Sequence, residues 1–308
     1  MLQTLEEEAA RRGDRLKAVP VEVLNSVKDE ITLLQSQQKL NGFQKWIVNN
    51  LYSYEIPQNP YPVKSIILAA VPHPAYAEAI FTRSNREYTA YGVPSSDFDK
   101  TEKYLSILLE QENYHITPAA KLPFKRLGVQ SGLSEYGRNN ITYAENMGSH
   151  FSYLAFYSDM PVKEYFWRSV CMADRCKNCM ACVERCPTGA ILRDRFLIDN
   201  EKCLSKMTES ADDFPEWVPA ASHHTVYGCL KCQMICPMNA KQNAVEPEKI
   251  YFDEAETERI LRGAPYGDVS DSLKDKIKKL WLDKWPDGIP RNLLLLFRLI
   301  DEGYIPSF

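Results

Sequence analysis

The chain has no stretch approaching the roughly 18 consecutive apolar residues that a membrane-spanning helix needs. It has no excess of either charge. A net charge of -4 over 308 residues leaves no electrostatic footprint for nucleic acid, although a local patch could still dock one. The opening Met-Leu-Gln-Thr-Leu-Glu-Glu-Glu-Ala-Ala-Arg-Arg holds no apolar core of a secretory signal. Arg11-Arg12 runs into Gly-Asp-Arg-Leu-Lys, which does not read as a twin-arginine signal. The expected location is cytoplasmic, with no membrane partner. There is no long repeat and no low-complexity tract. Hydrophobic content of 44% and charged content of 25% are ordinary for a soluble globular protein, and the length allows two domains.

Cysteine is what the chain has in quantity. The first run is Cys176-Lys-Asn-Cys179-Met-Ala-Cys182-Val-Glu-Arg-Cys186-Pro187. The second is Cys229-Leu-Lys-Cys232-Gln-Met-Ile-Cys236-Pro237, with Cys203 between the two. C-x2-C-x2-C-x3-C-P is the run of bacterial two-cluster ferredoxins. Three cysteines wrap one cubane, and the fourth, followed by proline, points at the other. Disulfides do not suit a cytosolic chain. Zinc sites use separated pairs rather than this run. The pattern therefore predicts two [4Fe–4S] clusters. Cys176, Cys179, Cys182 and Cys236 are expected to hold one. Cys186, Cys203, Cys229 and Cys232 are expected to hold the other, with Cys203 standing in for the residue the second run lacks. Cys171 reads as a small buried hydrophobe.

Residues 1–51 read as helices, with Gly42 dividing the longer pattern in two. Val63–Val71 is a short apolar run between prolines and reads as a buried strand. Phe98–Leu109 is an amphipathic helix capped by Ser95 or Ser96, and Ala120–Val129 is a second helix with Pro123 in its first turn. Asn140–Ala144 and His150–Tyr157 read as strands around a turn at Asn146–Ser149. Ala190–Asp199 is the connection between cluster-binding halves, and residues 253–308 look helical. The fold class is α+β. Its parts are a helical segment 1–62, an α/β region 63–163, a ferredoxin-like double-cluster domain 164–245, and a helical C-terminal region 246–308. About 160 residues precede the clusters, more than a ferredoxin needs, which suggests a second cofactor or a substrate site.

The sequence resembles the cobalamin- and iron–sulfur-dependent epoxyqueuosine reductases, more distantly related to reductive dehalogenases. Lys202-Cys203-Leu-Ser-Lys-Met-Thr208-Glu209 is similar to the family's Arg-Cys-Ile-Ser-Tyr-Leu-Thr-Ile-Glu. Tyr227-Gly228-Cys229-Leu-Lys-Cys232-Gln233-Met-Ile-Cys236-Pro237-Met-Asn239 is similar to its Gly-Cys-Asp-x-Cys-Gln-x-Val-Cys-Pro-Trp-Asn. Gly132-Leu-Ser-Glu-Tyr-Gly137-Arg138-Asn139-Asn140 and Gly148-Ser149-His150-Phe151 resemble its glycine turn and the Gly-Ser-x-Phe that follows. The resemblance implies that residues 63–163 hold a base-off cobalamin. Gly132 and Gly137 would let backbone approach the flat corrin. Arg138, Asn139, Asn140, Ser149 and His150 would line the corrinoid, the polar ones bonding its amides or nucleotide tail.

The departures lie on the substrate side. The family's proton donor is an Asp before the glycine turn. Here the matching stretch is His115-Ile-Thr-Pro118, and no Asp occurs between Lys100 and Ser158. His115 and Tyr136 are the candidate acids, each with a structural alternative: a capping histidine and a packed ring. His223-His224, before Cys229, could tune a cluster, ligate cobalt, or simply end a loop. The expected function is a cobalamin-dependent reductase acting on something other than epoxyqueuosine. Its electrons would come from a low-potential ferredoxin or flavodoxin. Its substrate would be a small molecule, a tRNA or a corrinoid protein. The competing class is an electron-transfer protein that activates corrinoids and has no substrate of its own.

Overall fold

Ser65-Ile-Ile-Leu-Ala-Ala-Val-Pro72 (β2) is apolar on both faces because both faces are covered. Ile66, Leu68 and Ala70 pack with Val23, Leu24, Val27 and Ile31. Ile67 packs with Leu5, Ala9, Leu105, Leu109 and Phe156. In the computed structural model, which describes residues 1–194 and 197–308, β2 is an interior strand of an antiparallel sheet ordered β1-β2-β8-β5. Its partners are β1 (Arg15–Pro20) and β8 (Phe151–Ser158), with β5 (Ile116–Pro118) on the far edge. Helices α1 (Leu2–Arg11), α2 (Val23–Ser36), α3 (Gly42–Leu51), α4 (Phe98–Glu110) and α5 (Phe124–Gln130) belong to the same unit. A two-stranded ribbon, β6 (Glu135–Tyr136) and β7 (Thr142–Tyr143), completes it.

Two local expectations need correction. Residues 1–51 are not all helical: Arg15–Pro20 is a strand, because pairing with β2 buries Leu16, Ala18 and Val19 and overrides local preference. The two strands expected around Asn146–Ser149 are present: β7 pairs with β6, and β8 lies between β2 and β5. Helix α4 is capped by Asp97, whose carboxylate accepts from the Lys100 amide, rather than by Ser95 or Ser96. The break near Gly42 is a capping box, with Asn41 and Gln44 exchanging side-chain-to-backbone bonds.

The chain divides into two units, Met1–His73 with Ser96–Asn178, and Pro74–Ser95 with Cys179–Phe308. The hairpin of β3 (Ala77–Arg83) and β4 (Arg86–Gly92) thus belongs with the later residues. Composition alone gives no reason to separate it from its neighbours. Ser84 and Asn85 both take positive φ in its two-residue turn, the geometry a tight hairpin prefers. β3 also pairs in parallel with β9 (Glu248–Phe252). Helices α10 (Glu254–Leu261), α11 (Asp271–Lys279) and α12 (Ile289–Asp301) close this core, with Phe81 stacked on Phe252 at 4.6 Å. The short helices α6 (Ala181–Arg185), α7 (Leu204–Thr208), α8 (Lys231–Met234) and α9 (Ala240–Asn243) carry the cysteine segment. Arg195 and Phe196, within the expected connection between cluster halves, lie outside the described residues. Among the described residues no helix is long and apolar enough to cross a membrane.

Candidate functional site

In the second unit, short helices present cysteines at their ends. Cys186 ends α6 and Cys203 starts α7. Burial raises the Cys203 thiol pKa, opposed by the Ser205 and Lys206 amides that donate to its sulfur, while Cys186 raises it further. Burial pushes the Cys229 thiol up to about 12, against the Lys231 amide that donates to it, with Cys203 and Cys186 adding to the rise. Cys186, Cys203 and Cys229 are therefore within electrostatic reach of one another, and amides are already aimed at two of the sulfurs. Amides so placed favour a thiolate. Among the described residues, no group of three or more His, Cys, Asp or Glu converges as one metal ion requires. A cubane differs, because it spreads its thiolates over four irons.

The loop before Cys229 is fixed from several sides. The Gly228 amide donates to Thr208 Oγ1 at 2.7 Å, and Thr225 Oγ1 donates to the Gly228 carbonyl at 2.8 Å. Asn292 Nδ2 donates to the carbonyls of Thr208 and Val226 at 2.8 and 2.9 Å. Gly228 has φ +77°, the left-handed region that favours glycine. His223 and His224 are buried, and burial lowers both to about 4.

In the first unit, the glycine turn is clasped by the segment that leads into the first cysteine run. Arg168 Nε and Nη2 donate to the carbonyls of Val129 and Ser134 at 3.1 and 3.0 Å. The Ala173 amide donates to the Tyr136 carbonyl at 2.8 Å. Arg138 is buried and its Nη2 donates to the carbonyls of Cys176 and Lys177 at 2.7 and 3.1 Å. Asn139 Nδ2 donates to Tyr143 Oη at 2.9 Å, which uses that amide within the turn. Asn140 takes φ 60°, and its carbonyl accepts from Lys125 Nζ. Ser149 and His150 are buried, with the His150 ring 6.1 Å from that of His73.

Three comparisons bear on this arrangement. Residues 175–239 match the family described as a 4Fe-4S double cluster binding domain. The epoxyqueuosine reductase of Cyclobacterium marinum is 28% identical over 203 residues, 63% of this chain and 62% of that protein. The epoxyqueuosine reductase of Bacillus subtilis is 23% identical over 249 residues, 76% and 62% of the two chains. A solved Bacillus subtilis epoxyqueuosine reductase overlays with a TM-score of 0.65 at 20% identity, covering 96% of this chain and 80% of that one. The chain is epoxyqueuosine reductase-like. Another such reductase, solved with an epoxyqueuosine-modified tyrosine tRNA stem loop, gives a TM-score of 0.64 over 96% of this chain and 82% of that one. The chain spans about 62% of the length of the two curated relatives named.

Within this reductase-like fold the candidate acids part company. His115, at the sheet edge, has a side chain 58% exposed and 2.9 Å from Asp159, through Nδ1 and Oδ2. Its amide also donates to Asp159 Oδ1 at 2.7 Å. Burial pushes the Asp159 carboxyl up, but the bonds from His115 outweigh it and hold the group below its ordinary value. Tyr136 is interior. Burial raises its phenol well above the ordinary value, with Arg126 opposing and Tyr153 and Tyr52 adding. Cys171 is exposed rather than buried, because it lies on an extended stretch before the cluster run.

Sequence reading missed the group around Tyr136. Glu30 accepts from Arg126 Nη1 and, at 2.9 Å, from Gln130 Nε2. Tyr153 Oη lies 2.6 Å from Ser134 Oγ. Tyr54 Oη and Gln130 Oε1 are buried without a hydrogen-bond partner. Arg126 and Gln130 sit one helical turn apart on α5, a spacing visible in the sequence. Glu30, Tyr52 and Tyr54 come from distant segments and carried no signal. The glycines are also crowded from within the unit. A Cβ at Gly132 would meet Phe166 at 2.8 Å, and one at Gly137 would meet Tyr143 at 2.5 Å, so this unit's own side chains already require glycine there.

Proposed function

We propose that this chain is a corrinoid-dependent iron–sulfur reductase whose substrate differs from epoxyqueuosine. The observation that carries the reading is the gathering of Cys186, Cys203 and Cys229 in one unit, with amides already donating to two of the thiols. Cys232, one turn into the same motif, would complete that ligand set. The spacing of the first run assigns Cys176, Cys179, Cys182 and Cys236 to the second cluster. Cobalamin, when bound, supplies a metal centre that accepts electrons from the clusters and delivers them to an electrophile. The chain's orphaned polar atoms suit it: buried Tyr54 Oη and Gln130 Oε1 are groups that corrin amides can satisfy. With the turn Gly132–Asn140 and Ser149–His150, they would hold the corrinoid.

The chain's own part in the chemistry is to exclude water and hold a proton. Tyr136 keeps its proton because burial disfavours the phenolate, so it donates only when a strongly basic centre develops beside Oη. Arg126 pairs with Glu30, so these two charges offset each other. His115 is exposed and tied to Asp159, which suits a surface role better than a proton donor inside a dry site. The partners in this reading are a low-potential ferredoxin or flavodoxin and a small-molecule substrate. A tRNA stem loop, as held by the relative described above, is the competing substrate.

Two measurements test the reading. Expression in a strain without its own epoxyqueuosine reductase should leave queuosine unrestored in tRNA, and full restoration would refute the substrate claim. In any cobalamin-dependent reduction, Tyr136→Phe should abolish most turnover and His115→Ala should spare it. The opposite ranking would move the acid to His115. Cobalamin reduction without any substrate turnover would favour the electron-transfer class.

A further inference from the structure

The Cys229 loop carries two backbone amides that a cluster could use but that the fold assigns elsewhere. Amides donating to cluster sulfurs stabilise the reduced, more negative state and raise the reduction potential. In the second unit the Lys231 amide already donates to Cys229, and the Ser205 and Lys206 amides to Cys203. The Leu230 amide instead donates to His224 Nε2 at 3.3 Å, and the Gly228 amide donates to Thr208 Oγ1 at 2.7 Å. The Gly228 and Leu230 amides therefore each have a side-chain acceptor.

The His224 acceptor is fixed in its tautomer. Its Nδ1 lies 2.7 Å from the Ser222 carbonyl, which can only accept, so Nδ1 carries the hydrogen and Nε2 the lone pair. The ring is fully buried and neutral. Its backbone is pinned to the edge of the three-stranded sheet, where the Tyr91 amide donates to the His224 carbonyl at 2.8 Å. The Phe308 ring closes over it at 5.7 Å. His223 has a different setting, against Phe214 at 4.4 Å.

We propose that His224 and Thr208 are positioning residues that withdraw the Leu230 and Gly228 amides from the cluster held by Cys186, Cys203, Cys229 and Cys232, and so keep that cluster's reduction potential low. The inference depends on the two-cluster reading above. Neither residue touches iron. Each acts by occupying an amide that would otherwise turn toward a sulfur. The consequence is directional: one cluster of the pair becomes the harder to reduce, which suits delivery of electrons to a low-potential acceptor.

The test uses the full chain, reconstituted anaerobically with iron and sulfide and titrated by EPR-monitored redox potentiometry. Iron and sulfide analysis comes first. Wild-type protein that does not hold two clusters refutes the cluster reading itself. With both clusters present, His224→Leu and Thr208→Val should each move one midpoint to a more positive potential and leave the other unchanged. His224→Gln, which retains an acceptor, should stay near wild type. Midpoints that do not move in either variant, or that move equally for both clusters, would overturn the proposal. So would a His224→Gln shift as large as that of His224→Leu. Should His224→Leu not hold its cluster, Thr208→Val alone decides by the same criterion.

Discussion

Arg138 Nη2 donates to the Cys176 carbonyl at 2.7 Å, joining the glycine turn to the first cysteine of the cluster run. Arg138 is 4% exposed, and its Nη2 also donates to the Lys177 carbonyl at 3.1 Å. Replacing it removes the donor to both carbonyls. Arg138→Met should cost about 2–3 kcal/mol, from the loss of charge-assisted bonds. Denaturant unfolding measures the cost, and iron content after reconstitution should fall with it. An unchanged midpoint would show that the carbonyls find other donors.

The crossed ligation makes a spectroscopic prediction. Cys186→Ser and Cys203→Ser should damage the same cluster, seen as the same loss in Mössbauer and EPR spectra. Cys179→Ser should damage the other. If the Cys186→Ser spectrum matched that of Cys179→Ser instead, each run would hold its own cluster and the fourth-cysteine rule would not apply here.

Two glycines in the second unit should respond differently to alanine. At Gly228 nothing lies within 4 Å of an added Cβ, so only the left-handed backbone resists. That cost should be about 1–2 kcal/mol. At Gly288 the Cβ would lie 2.4 Å from the Thr208 carbonyl oxygen and 2.8 Å from that of Ser210, so the start of α12 must shift against the end of α7. Gly288→Ala should therefore be the more damaging by denaturant midpoint. Equal effects would place Gly288 outside the packing described.

The buried histidines give stability a pH dependence. In the folded chain His223 and His224 titrate at about 4, against 6.5 for an ordinary histidine. Between those values the unfolded chain binds more protons, so stability is complete above about pH 6.5 and declines as pH falls toward about 4. Each imidazole contributes at most about 3 kcal/mol over that window. His223→Gln should flatten the dependence of unfolding free energy on pH. A slope unchanged in that variant would mean that His223 is not held neutral.

The cluster segment was legible because iron–sulfur ligation fixes both residue type and spacing. Cys176 through Cys236 announce themselves without any tertiary knowledge. β2 was legible for a similar reason: a continuous apolar run has to be covered on both faces. Other features were not. β1 is a strand only because β2 lies beside it, and no local pattern in Arg15–Pro20 says so. The pairing of His115 with Asp159 joins residues that are distant in sequence and adjacent across the β5–β8 edge. The Glu30–Arg126–Gln130 group and the tyrosines around it converge from five segments, and only the Arg126–Gln130 spacing is local. The acceptors of the Cys229 loop, Thr208 and His224, became visible as acceptors only with the backbone amides in place.

The most direct test of the account is corrinoid retention by protein whose clusters are intact. Chain reconstituted anaerobically should be dialysed against cobalamin, then analysed for iron, sulfide and corrinoid together with its absorption spectrum. The account predicts two clusters and about one tightly held corrinoid per chain in the base-off form, with retention weakened by Gln130→Leu, since Gln130 Oε1 is a buried acceptor awaiting a donor. Two intact clusters with no retained corrinoid would contradict it and leave a double-cluster electron carrier on an epoxyqueuosine reductase-like fold.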